Sequence, residues 1–316
     1  MAYSQAISGH MPSTDPPAFR RRVIFTADDF GLSPLLNQAV ALAYGAGLLR
    51  CASLMAGGPA VDQALTLSRQ LPGLCLGVHL TLIQGRAVLP PQALPRLVDA
   101  AGRFSQNPVL TGWRYFNNPS LLPEISRELR AQIETVLEAG LTPWYLNSHL
   151  NLHLHPRLAP LVVDLAREYA IPALRLARED WRTTLWLAPQ GKFPKMALGL
   201  IFTVLSRRTR SLAVAAGLVV NDHLFGLTHH GRLTEDHLLR LIPQLRPGVT
   251  EILSHPATGV DPVLKQAHPA YLREGEFLAL LSPRLKEVLR AQGVEVTSYR
   301  DLAATAPRAG GSNFSP

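Results

Sequence analysis

Short apolar runs that alternate with helix-spaced segments are the feature that most narrows what this chain can fold into. Arg22–Ala27 (RVIFTA) is rich in β-branched and aromatic residues and reads as a strand. Ser33 and Pro34 follow as the N-cap and first-turn pair of a helix running to Ala46. The alternation continues with strands expected at Cys51–Ala56, Leu74–Leu82, Trp144–Asn147, Ala173–Leu176, Val249–Ser254 and Val294–Thr297. Helices are expected at Pro59–Leu71, Pro123–Ala139, Leu158–Ala170, Thr234–Leu241 and Ser282–Ala291. Strands alternating with helices predict βαβ units and a parallel sheet, and roughly seven units favour a barrel over an open sheet. Periodicity alone leaves closure undecided. Residues 83–120, rich in Pro, Gly and Asn, read as a long functional loop. Residues 180–232 are irregular, with apolar stretches Met196–Leu205 and Leu212–Val220 on either side of Arg207, Arg208 and Arg210. The expected organisation is one α/β domain over 21–302 with an apolar and basic insertion around 181–221. Residues 1–20 and 303–316 read as flexible tails.

Hydrophobic residues make up 47% and charged residues 17% of the 316, enough for a sizeable core, which excludes global disorder. Two cysteines, Cys51 and Cys75, exclude a disulfide scaffold and read as reduced core thiols. No apolar run is long enough for a membrane span, and no secretory h-region is seen. A cytoplasmic, non-secreted protein is therefore expected, with the inner face of the cytoplasmic membrane as the alternative location. The net charge is +8, and 27 of the 31 basic residues are Arg. Such a balance permits nucleic acid, an anionic membrane surface or an acidic substrate. No nucleic-acid recognition motif accompanies it, so no nucleic-acid partner is expected.

Four polar clusters fall at expected strand ends, where α/β folds place their sites. Asp28 and Asp29 directly follow RVIFTA; the pair reads either as a turn with an Asx cap or as two carboxylates with separate roles. His79 lies in the apolar run Gly77-Val-His-Leu80, where a satisfied core histidine is the plainer reading. Asn147, His149, Asn151, His153 and His155 alternate with Leu150, Leu152 and Leu154, which predicts one polar period-2 face at a strand end. Neutral imidazole is a common ligand for divalent transition metals. His255 precedes Pro256 and is held extended after the strand VTEIL. An Asp with two His can form an open three-ligand metal site, leaving a further Asp as base and a further His as acid. The chain has neither a G-x-S-x-G elbow nor a P-loop.

These stretches resemble the YdjC-like (ChbG-type) carbohydrate deacetylase family. Thr26-Ala-Asp-Asp-Phe-Gly31, Gly77-Val-His-Leu80, Asn147-Ser-His149 through His153, and Ser254-His-Pro-Ala257 carry the likeness in order and spacing over residues 21–302. Ala52–Pro59, Gly85–Pro90, His153–Pro156 and Asn221–Gly226 look like its hopanoid-biosynthesis branch. The resemblance implies an irregular (β/α) barrel related to polysaccharide deacetylases. It implies one divalent metal ion (Zn, Mg, Co, Ni, Mn or Fe) held by Asp29, His79 and His149, with Asp28 as base and His255 as acid. Asn151, His153, Arg175, Asn221 and His223 are the candidates for substrate contact. The implied reaction removes the N-acetyl group of an amino sugar, carried in the hopanoid branch on a glycolipid. The family often carries a His where this chain has Asn151, which bears on metal or substrate binding.

Three alternatives accompany this expectation. A glycolipid-binding barrel without activity is compatible with Asn151. An amidohydrolase is suggested by the H-x-H of His153 and His155, but that superfamily is expected to carry H-x-H on its first strand, which here ends in Asp-Asp. The segment 181–221 reads either as helices packed on the barrel or as a lid or membrane-facing patch over 193–221 for peripheral association.

Overall fold

The computed structural model describes residues 20–187 and 192–306. The expected tails therefore lie mostly outside the described residues. Nine strands form one sheet among the described residues: β1 Arg21–Phe30, β2 Cys51–Leu54, β3 Cys75–Leu80, β4 Tyr145–Ser148, β5 Ala173–Leu174, β6 Val219–Val220, β7 His223–Phe225, β8 Gly248–Ser254 and β9 Val294–Val296. The order is β6-β5-β4-β3-β2-β1-β8-β7, with β9 also paired to the start of β1, and every ladder is parallel. A single parallel bridge between Glu179 and Leu224 links the chain beyond β5 to β7. The expected irregular α/β barrel is thus found as a curled parallel half-barrel, with that one bridge spanning its open side.

The helices are α1 Pro34–Ala46, α2 Val61–Gln70, α3 Pro108–Asn117, α4 Leu122–Glu138, α5 Leu158–Glu168, α6 Trp181–Leu187, α7 Lys192–Ala215, α8 Glu235–Leu241, α9 Pro262–Ala267, α10 Arg273–Leu281, α11 Pro283–Ala291 and α12 Tyr299–Thr305. Ser33 caps α1 by accepting from the Leu35 amide, as its sequence predicts. A continuous apolar core fills the space between sheet and helices. Cys51 and Cys75 are free, buried and directly opposite each other on β2 and β3.

Several expectations need correction. The loop at 83–120 holds α3, whose N-cap Asn107 accepts from the Leu110 amide. The irregular segment after 180 is mainly α6 and the 24-residue α7, which runs straight through the basic cluster. α12 reaches Thr305, three residues beyond the expected end of the domain. Among the described residues no helix is long and apolar enough to cross a membrane.

Candidate metal centre

The site is built where β1, β3, β4 and β8 end side by side. In a regular strand the neighbours Asp28 and Asp29 would point to opposite faces. The register of β1 on β2 shifts between Ala27 and Phe30, and Asp29 takes φ 61°. This bulge re-aims the chain so that both carboxylates enter the barrel end. Asp29 Oδ1 stands 3.4 Å from His79 Nε2 and 3.3 Å from His149 Nδ1, and its Oδ2 stands 3.9 Å from His255 Nε2. Both oxygens are buried, yet no hydrogen bond reaches either.

His79 and Asn147 are cross-strand partners on β3 and β4. The amide nitrogen of Asn147 donates to Ser53 Oγ at 2.8 Å and to Asp28 Oδ1 at 3.2 Å. Its Oδ1 is therefore the acceptor for His79 Nδ1–H at 2.9 Å. That fixes the tautomer and leaves the His79 Nε2 lone pair facing a carboxylate oxygen. Two electron-rich atoms facing each other in a buried site suit a cation between them. One ligand atom from each of Asp29, His79 and His149 lies within 4.8 Å of the others. The donor set, an oxygen and two imidazole nitrogens, fits a divalent transition metal.

Asp28 is held differently. Arg175 donates to it twice, from Nη1 to Oδ2 at 2.5 Å and from Nη2 to Oδ1 at 2.9 Å, and Ser53 Oγ donates at 2.8 Å. The other side of the guanidinium is bound by Glu251, which also accepts from Thr26 and Tyr299 at 2.6 Å each. Burial opposes charge on Asp28, but Arg175 outweighs it and holds the carboxyl far below the usual range. Burial likewise opposes charge on Asp29, and the facing imidazoles of His149 and His79, when they carry their protons, outweigh it and hold the carboxyl well below that range. The two adjacent carboxylates are thus both kept ionised, each by its own neighbours. For His79, burial works against imidazolium, and the carboxylates of Asp28 and Asp29 outweigh that and raise it.

The YdjC-like protein family matches residues 22–291. This chain belongs to that family. Among its relatives, a carbohydrate deacetylase of Vibrio cholerae is 32% identical over 286 residues, covering 89% of this chain and 96% of the relative. A carbohydrate deacetylase of Listeria monocytogenes is 29% identical over 286 residues, covering 89% of this chain and all of the relative. A crystal structure from Enterococcus faecalis, of a protein proposed to cleave cellobiose-phosphate, superposes with a TM-score of 0.68 at 25% identity. It covers 90% of this chain and 99% of that one.

In this YdjC-like chain the other expected site residues lie apart from the triad. Arg175 has no exposed surface, and both sides of its guanidinium are bound to carboxylates. It sits beneath the site, out of reach of a substrate. His153 is buried between Ser148 Oγ at 2.8 Å and the Arg175 carbonyl at 2.9 Å, and burial pushes it down to about 3. Asn221 spends its amide on Leu176 and His223 and its oxygen on Leu176 and Tyr299. His223, half-buried on β7, has Arg178, Asp222, Asp180 and Arg246 as charged neighbours. Asn151 is buried in the turn beside His149, and its Oδ1 has no hydrogen-bond partner.

The expected period-2 face over 147–155 does not form. β4 ends at Ser148, and His149–Leu154 is a tight turn in which Leu150 (φ 54°) and Asn151 (φ 53°) are both left-handed. Ser148 is still extended, so His149 keeps the side of Asn147 and reaches Asp29 from the strand end, and the reversal redirects only the residues after it. Sequence reasoning also missed Ser53, Glu251 and the aromatic wall of His268 and Tyr271. The two rings stack at 4.4 Å, with His268 6.0 Å from His149 and Tyr271 5.0 Å from His255. Glu251 did leave a signal, as the lone charge inside an apolar strand.

Proposed function

We propose that this protein is a metal-dependent carbohydrate deacetylase that hydrolyses the N-acetyl group of an amino sugar. The observation that carries this reading is Asp29, a buried carboxylate with no hydrogen bond, faced by His79, His149 and His255. The names of the relatives supply the substrate class. Asp29, His79 and His149 would hold the divalent cation. When bound, the cation supplies Lewis acidity, which favours hydroxide over water and negative charge on a carbonyl oxygen.

The chain's own residues supply the proton traffic. Asp28 takes a proton from the attacking water as its oxygen bonds to the acetamide carbon. Arg175 and Ser53 keep that carboxylate aimed and charged. His255 takes over the proton that Asp28 removed from the water and gives it to the sugar nitrogen as the carbon–nitrogen bond breaks, so that both residues return to their starting state and acetic acid and a free amine are released. Burial holds this imidazole down at about 3, so it rests neutral. The negative charge that grows on the substrate beside it favours its protonated form as the reaction proceeds. Asn151, whose buried oxygen has no hydrogen-bond partner, would accept from a substrate N–H or O–H.

The finer reading makes the amino sugar part of a glycolipid, with an N-acetylglucosaminyl hopanoid as the candidate. Its support is the resemblance of Ala52–Pro59, Gly85–Pro90, His153–Pro156 and Asn221–Gly226 to the hopanoid branch. Peripheral association with the inner face of the membrane through 193–221 belongs to the same reading. Its support is the outward face of α7, where Leu200, Ile201 and Val204 are exposed. The test is acetate release from an N-acetylglucosaminyl lipid and from a soluble chito-oligosaccharide, with each divalent metal in turn. Release from the lipid above all supports the full reading, and release from the soluble sugar alone supports only the deacetylase. No acetate from either, with stoichiometric metal bound, would overturn both.

A further inference from the structure

Three segments around the metal-site turn, residues 100–123, 139–163 and 181–221, contain nine Arg and Lys and no Asp or Glu. The fold brings them together. His155, at the end of the turn that carries His149, donates from Nε2 to the Gly112 carbonyl of α3 at 3.1 Å. Arg157 lies over the Phe116 ring at 5.6 Å. On the other side, α7 packs against the same turn, with Phe202 and Leu205 directed into the cluster that contains Leu154.

Both helices turn apolar side chains outward. α3 buries only Thr111 and Tyr115, while Val109, Trp113 and Phe116 are 79%, 65% and 49% exposed. On α7, Leu200, Ile201 and Val204 are 66%, 55% and 56% exposed, one turn before the exposed pair Arg207 and Arg208. A helix normally keeps its apolar stripe inward. Here two helices flanking the turn that carries His149 also present apolar side chains to solvent, and the three segments hold no acidic residue, although Asp99 and Asp222 just outside them pair with Arg103 and Arg210. Exposed Trp, Phe and Leu with basic neighbours is the composition of surfaces that enter the headgroup region of an anionic bilayer.

We infer that α3, the metal-site turn and α7 form one docking face for an anionic membrane surface. It would hold the mouth of the site against the bilayer. The inference goes beyond 193–221 by adding α3 and Arg157. It rests on the glycolipid reading only for the purpose of docking, since adhesion itself needs neither turnover nor metal.

The experiment is flotation of the full-length, metal-free protein with phosphatidylcholine vesicles and with mixed phosphatidylcholine–phosphatidylglycerol vesicles. Binding to the mixed vesicles that weakens with added salt is expected. The Val109→Ser/Trp113→Ser and Leu200→Ser/Ile201→Ser variants should each lower the partition coefficient on the order of tenfold. Thermal melts of both variants should match the parent, and their hydrolysis of a soluble acetamido sugar should be unchanged. Absence of binding to either vesicle, or equal binding by both folded variants, overturns the inference. So does concentration-dependent self-association that the variants abolish without any vesicle binding, which would make the face a contact between copies. Vesicle binding by a protein that releases no acetate keeps the docking face and discards the deacetylase reading.

Discussion

Asn147 has one acceptor and two N–H donors, and the site uses them all. Because both donors go to Ser53 and Asp28, the oxygen must accept from His79, which turns the Nε2 lone pair toward Asp29. Replacing Asn147 with Leu should therefore weaken divalent-metal binding by roughly 10–100-fold, the usual effect of losing an orienting partner. Titration calorimetry of the metal-free protein reads this directly, and an unchanged dissociation constant would refute the orienting role. Arg175 poses the complementary case. It is the cation shared by two buried carboxylates, Asp28 and Glu251. Arg175→Met leaves both unpaired, so a loss of ~3–5 kcal/mol in urea unfolding is expected. Acetate release should fall with it, because Asp28 loses the donors that aim it. The sequence marks Asp28, Asp29, His79, His149 and His255 by their place at strand ends. It cannot mark Ser53 or Arg175 in the same way, because their partners lie 25 and 147 residues away along the chain.

At the scale of elements, the turn His149–Leu154 is the part that periodicity misjudged. Alternating Leu and polar residues suit a strand, yet two left-handed residues in succession reverse the chain at Leu150 and Asn151. Asn accepts that conformation readily and Leu does not. Leu150 is partly exposed, so it gives up little packing when replaced. Leu150→Asn should raise stability by ~0.5–1 kcal/mol, measured as a shift of the thermal midpoint. A lower midpoint would mean that the Leu150 side chain matters more to packing than the backbone does. α7 shows the opposite case. Its apolar and basic blocks look like separate segments in sequence, but a helix has no reason to break at Arg207, Arg208 and Arg210. Buried Ser206 and Thr209 continue the inward stripe between them. The strands and helices with caps and clear periods were legible. β6 and β7 were not, since Val219 and Val220 continue the apolar stretch that ends α7 and His223–Phe225 follows them with only two residues between.

Across the whole molecule, the open side of the half-barrel holds a titratable group that the site does not use. Glu179 bridges to β7 and is buried, and burial pushes its carboxyl up to about 7 despite help from Thr228 and Thr184. A carboxyl raised in the folded state binds its proton more tightly there than in the unfolded chain. Its contribution is complete below about pH 4.5 and is lost as the pH rises through about 7. Glu179→Gln should flatten this part of the profile. The variant should match the parent near pH 4.5 and exceed it by ~3 kcal/mol at pH 8, as followed by urea unfolding at each pH. A parent profile that stays flat between those limits would dismiss Glu179 as a source of pH sensitivity. The net charge of +8 also takes its meaning at this scale. Its distribution, not its sum, matters, because the acid-free segments gather around one turn. By itself, the sequence determined the α/β class, most strand ends and the carboxylates and imidazoles gathered there, since these follow from local period, capping and residue type. Only the tertiary structure decided which of them meet, that Arg175 lies beneath the site and that α3 and α7 both contact the chain at the His149–His155 turn. Those outcomes depend on contacts between strands and helices far apart in the chain and on one β-bulge, none of which a local pattern encodes.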